Sequence, residues 1–155
     1  MKTSMLYRAA AVLLVVFAVG HTLGFRQSDQ TWGVDPLLAS MQSTPFTIDG
    51  FTRTYWDFFT GAGFTVGVFY LFAAVLAWQL GGLPGGSLAL MRTTKWGFAC
   101  CFGLVTVLSW AYLFWIPIVM SGAITACLVG AAWSSGNQVS ASTREREPSS
   151  HEGAA

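Results

Sequence analysis

Apolar residues come in long uncharged blocks along this chain, with the polar residues gathered between them. The block that organises the rest opens at Phe51. Arg53, Tyr55, Trp56 and Asp57 mix charge with aromatic rings, and from Phe58 no charge appears until Arg92. A change from wet to oily chemistry of this kind is what a membrane surface imposes. An earlier block, Ala9 to Phe25, is uncharged apart from the ionisable His21. With a start near Met5 and Arg8 snorkelling, it predicts a helix of about 20 residues, the length a bilayer needs. A secretory signal is the competing reading, with basic Lys2 and Arg8 ahead of an apolar stretch and small Ala18 and Gly20 before a cut. The uncleaved span is preferred because the rest of the chain is itself apolar enough to be embedded.

Residues 26–57 are too polar to span. Asp35-Pro36 reads as a helix start, with Asp35 as the capping acceptor and Pro36 at the first helical position. Leu37, Leu38 and Met41 then share a face, which predicts a short helix on the membrane surface or capping the bundle. Thr44-Pro45 ends it, and Asp49-Gly50 is a turn placed to cap the next helix. Gly81-Gly82-Leu83-Pro84-Gly85-Gly86 breaks the second apolar block. Residues 96–133 are again uncharged. As one helix they would measure about 57 Å, nearly twice the hydrocarbon thickness, so the chain must fold back. Pro117, beside Trp110, Tyr112, Trp115 and Ile116, marks a turn at 115–118. The expected spans are about 5–25, 54–80, 95–115 and 118–134. The expected fold class is all-α, a four-helix transmembrane bundle over 1–134 with a short interfacial helix in the first outer loop. Residues 135–155 read as a disordered tail.

Composition sharpens this picture. Of 155 residues, 54% are hydrophobic and 10% charged, where soluble domains carry about 25% charged residues. That argues against a soluble enzyme, and a net charge of +1 gives no reason to expect a nucleic-acid partner. Three cysteines, an odd number inside apolar segments, are no disulfide framework. Lys2, Arg8, Arg92, Lys95, Arg144 and Arg146 fall on one side of the expected bundle. Only Arg26 and Arg53, with Asp29, Asp35, Asp49 and Asp57, fall on the other. Positive charge stays inside, so both termini are expected in the cytoplasm. The tryptophans agree: Trp32, Trp56, Trp110 and Trp115 fall outside, Trp78, Trp96 and Trp133 inside.

Four groups are the candidate ligand-binding set: His21 at the outer end of the first span, and Arg53, Tyr55 and Asp57 at that of the second. If consecutive spans are neighbours, these meet in one outer site, with Asp57 orienting the imidazole or pairing with Arg53. The alternative is that Arg53 and Tyr55 anchor the helix at the headgroups and His21 bonds a loop carbonyl. Gly63 and Gly67, with Gly20 and Gly24, have the small-x3-small spacing of close helix packing. Cys100, Cys101 and Cys127 read as small apolar filler rather than a redox pair. Thr94, Thr106, Ser109, Ser121 and Thr125 are candidate hydrogen-bond partners between helices. No metal ligand set and no cofactor is expected, since the second histidine, His151, lies in the tail. No charge sits mid-span, which argues against an ion pump.

Gly20-His21-Thr22 together with the Arg-x-Tyr-Trp-Asp-Phe string at 53–58 resembles an uncharacterised family of small bacterial four-span membrane proteins. The resemblance covers about 20–135 and implies a bacterial inner membrane and the four-span layout, with no activity attached. A more distant similarity to DoxX-like proteins rests on layout alone. Three functions stay open: binding of a lipid or small amphiphile at the outer face; an enzyme acting on a quinone- or isoprenoid-like substrate, with His21 and Asp57 as acid–base pair; and a scaffold that meets a membrane protein partner or forms a homo-oligomer.

Overall fold

The computed structural model describes residues 2–145, with side chains through Gly136. Six α-helices and one β-hairpin make up the described chain. Helix α1 is Lys2–Gly24, and a 3-10 turn Gln30–Trp32 follows. That turn is closed by Asp29, which accepts from the Thr31 N–H at 2.8 Å and from its hydroxyl at 2.7 Å. Both bonds hold the Asp29 carboxyl below its ordinary pKa. Helix α2 is Asp35–Ser43. Asp35 is its first helical residue rather than its cap. Val34 stands at the cap with no side-chain bond, and Asp35 acts instead as a negative charge in the first turn.

The strands were not expected. β1 (Pro45–Ile48) and β2 (Phe51–Thr54) pair antiparallel, Ile48 opposite Phe51. Asp49 and Gly50 join them, with φ of 50° and 83°. Positive φ at both central residues matches strand twist, and Asp-Gly supplies it readily. The Asp49-Gly50 turn therefore closes a hairpin rather than capping a helix.

Helix α3 is Tyr55–Gly82 and ends at Leu83-Pro84. A short helix α4, Gly85–Leu90, occupies what read as a plain break. Helices α5 (Arg92–Tyr112) and α6 (Trp115–Glu145) complete the chain. The break between them lies at Leu113-Phe114, a turn before Pro117, which sits within the first turn of α6. Pro117 has no N–H to bond the Leu113 carbonyl and its ring crowds that carbonyl, so α5 cannot run through it; in a first turn the missing donor costs nothing. Helix α6 continues past the expected limit at 134. Residues 146–155 of the expected tail lie outside the described residues.

Among the described residues, α1, α3 and α6 (over Trp115–Gly136) are long and apolar enough to cross a membrane. Their side chains turn outward: only 17% of the apolar window of α3 is buried, and Phe58, Phe69, Phe72 and Trp78 are exposed. Contiguous apolar surface on this scale needs a non-aqueous neighbour, and it marks a membrane protein. Helix α5 is not among the three, with Arg92 and Lys95 in its first turn.

The chain forms two compact units, Leu14–Ala73 and a second joining Met1–Leu13 to Ala74 and beyond. The second unit has its core at Tyr7, Leu80, Ile124 and Leu128. In it α5 and α6 run antiparallel, tied by Thr106 to Thr125 at 3.0 Å and by Lys95 to Ser135. Ser121 bonds its own helix, at the Pro117 carbonyl. Cys127 is half-buried, but Cys100 and Cys101 are exposed on α5, so the filler role fits Cys127 alone.

Candidate functional site

The expected residues all lie in the Leu14–Ala73 unit, and its local structure explains their positions. Helix α3 starts where it does because Thr54 caps it. The Asp57 N–H donates to Thr54 Oγ1 at 3.1 Å, and the Thr54 N–H donates to Asp57 Oδ2 at 2.9 Å. This reciprocal box satisfies two amides that the helix itself leaves open. Asp57 is thereby committed to the helix end. Among the described residues it forms no ion pair with Arg53, whose Nη1 donates to the Thr52 carbonyl at 2.7 Å while its guanidinium lies 6.0 Å from the Phe51 ring centroid.

His21 sits elsewhere. Its Nε2–H donates to the Gly63 carbonyl at 3.0 Å, and its ring stacks 5.2 Å from that of Phe25. That is a tie between α1 and α3. Among the described residues His21 makes no hydrogen bond with Asp57. Tyr55 packs its ring 5.0 Å from Phe46 and steadies the hairpin.

The glycines divide as well. A Cβ at Gly63 would run into the Phe25 ring, and one at Gly67 would stand 2.8 Å from Thr22 Oγ1. These two notches receive Thr22 of α1 and Phe25, the residue just after it. At Gly20 and Gly24 a methyl group would meet nothing within 4 Å, so neither residue faces α3. Thr22 and Phe25 make the approach instead, and at 100° per residue Gly20 and Gly24 fall off that face.

Between the hairpin and the start of α3 lies an open cleft of about 510 Å³. Phe46, Ile48, Phe51 and Phe58 wall it, and Gly61, Ala62 and Thr65 line it along α3. Arg53 and Asp57 are its charged lining residues. From Asp57 to Thr65 the helix rises about 12 Å, enough for a run of chain methylenes. Of the four expected residues, Arg53 and Asp57 line the cleft; His21 and Tyr55 do not. The apolar walls went unforeseen, although Phe46-Thr47-Ile48-Asp49-Gly50-Phe51-Thr52 carries a hairpin signal: β-branched and aromatic residues about an Asp-Gly centre. Protein-family models, curated proteins and solved structures offer no match to this chain, so its function is argued from this geometry.

Proposed function

We propose that this is a multi-pass bacterial inner-membrane protein that binds a lipid-like amphiphile at its outer face. In this reading α1, α3, α5 and α6 are four spans of a bundle, α2 lies on the outer surface, and both termini are cytoplasmic. The observation that carries it is the cleft beside Arg53. Its walls are aromatic and aliphatic, and Arg53 suits an anionic or strongly polar headgroup while the apolar chain follows Gly61, Ala62 and Thr65.

Mass spectrometry of what co-purifies in mild detergent tests this. The wild type is expected to retain one amphiphile above bulk phospholipid. Arg53→Ala and the cleft-filling Ala62→Trp should lose it, and His21→Ala should keep it. Equal bulk lipid on all four proteins would sink the proposal. Loss of turnover in His21→Ala with binding kept would instead favour the enzyme.

A second reading has one observation behind it. Gly20 and Gly24 are exposed, keep the small-x3-small spacing, and among the described residues a Cβ at either would meet nothing within 4 Å. They offer a strip for a helix of a partner or of a second copy. Gly20→Leu should then shift the mass of the detergent-solubilised particle, while leaving the cleft ligand in place.

A further inference from the structure

The second unit gathers buried polar groups at its basic end. The Ser4 hydroxyl donates to the Gly81 carbonyl, which pins the start of α1 to the end of α3. The short link through α4 leads to the start of α5, where Lys95 Nζ donates to Ser135 Oγ of α6 at 2.6 Å. Leu6 lies against Gly130, about one turn of α6 before Ser134. The starts of α1 and α5, the end of α3 and the Ser135 turn of α6 therefore share one end.

Lys95 is only 3% exposed. An ammonium has three donors, and Ser135 takes one. Among the described residues no carboxylate pairs with it. The aspartates all lie at 29–57, and the glutamates at 145, 147 and 152. Glu145 is about 15 Å along the helix from Ser135. Two further hydroxyls are buried here without partners: Thr3 Oγ1, on a residue 5% exposed, and the Tyr7 OH, on a residue 0% exposed. Helical side chains lean toward their own N-terminus, which carries the Tyr7 hydroxyl toward the turn of Thr3. A buried ammonium without a counter-charge is costly, and so are unmade hydroxyl bonds. Lys2, Arg8 and Arg92 stand exposed at the same end, with the Arg8 guanidinium 5.3 Å from the Trp78 ring centroid.

We propose that this basic end binds a phosphate-bearing anion, with Lys95 as its counter-charge and the hydroxyls of Thr3 and Tyr7 as its hydrogen-bond donors. Lysine is a point charge suited to phosphate, and basic pockets between membrane helices take anionic headgroups. The phosphate belongs to an acidic phospholipid or to a soluble anion. This site is separate from the outer cleft and does not depend on it.

The test titrates the purified full chain, in non-ionic detergent, with phosphatidylglycerol, phosphatidylcholine or inorganic phosphate. Occupancy is read by native mass spectrometry and stability by melting temperature. Phosphatidylglycerol should bind and raise the melting temperature, and phosphatidylcholine should do neither. A matching effect of inorganic phosphate would support the anion site and identify a soluble ligand. Lys95→Met should weaken binding at least about tenfold. Without ligand it should melt at or above the wild type, because the unpaired charge is gone. Tyr7→Phe should weaken binding with its fold intact. Equal binding of phosphatidylglycerol and phosphatidylcholine with no phosphate effect, or Lys95→Met that melts lower yet binds as well, would overturn the proposal.

Discussion

At Gly63 the Phe25 ring occupies the space a methyl group would need. Gly63→Ala should therefore push the ring aside and destabilise by about 1–3 kcal/mol. Adding Phe25→Leu should recover most of the loss, which a double-mutant cycle of thermal unfolding in detergent would measure. Gly20→Ala and Gly24→Ala meet open space and should leave stability unchanged or raise it slightly. His21 belongs to the same contact. Its bond to the Gly63 carbonyl makes His21→Ala a stability change of about 0.5–1.5 kcal/mol.

At the scale of elements, the hairpin and the first turn of α3 together make the cleft. Thr54→Ala removes the cap and should cost about 0.5–2 kcal/mol. Gly50 has φ of 83°, where an alanine is strained. Gly50→Ala should thus reduce retention of the cleft ligand while far-UV circular dichroism of the helices stays unchanged. These elements also mark where reading the sequence succeeded and where it stopped. The long helices were legible because their blocks of uncharged residues match the bilayer. The hairpin is less legible because the polarity of 26–57 masks the Asp-Gly pair with its flanking Phe46, Ile48 and Phe51. Pro117 marks a turn in the sequence, but its effect falls one turn upstream, at Leu113-Phe114. Arg53 and Asp57 both line the cleft, as their place in the sequence suggests, but Asp57 works as a cap for Thr54. Which face of α1 meets α3 depends on Thr22 and Phe25, and spacing of glycines alone does not specify it.

For the whole molecule, the fate of α5 sets the topology. If it crosses, four spans return the chain to its starting side. If it does not, three spans leave the ends on opposite sides. Reporter fusions at the N-terminus and after Gly136 should report the same compartment. Opposite compartments would remove α5 from the membrane and put Ser135 on the side opposite Lys95, against the bond between them.

The Gly63 and Gly67 notches have a thermal consequence. Within hydrocarbon, a contact between helices releases no ordered water, so it rests on dispersion and carries little heat-capacity change. The aromatic walls of the cleft lie beside the hairpin at the start of α3, and their cohesion draws on apolar hydration, which fades on cooling. Chilling the protein should loosen its mouth before it loosens its clasp, so ligand exchange at the cleft can speed up in the cold while the two helices behind it hold their grip.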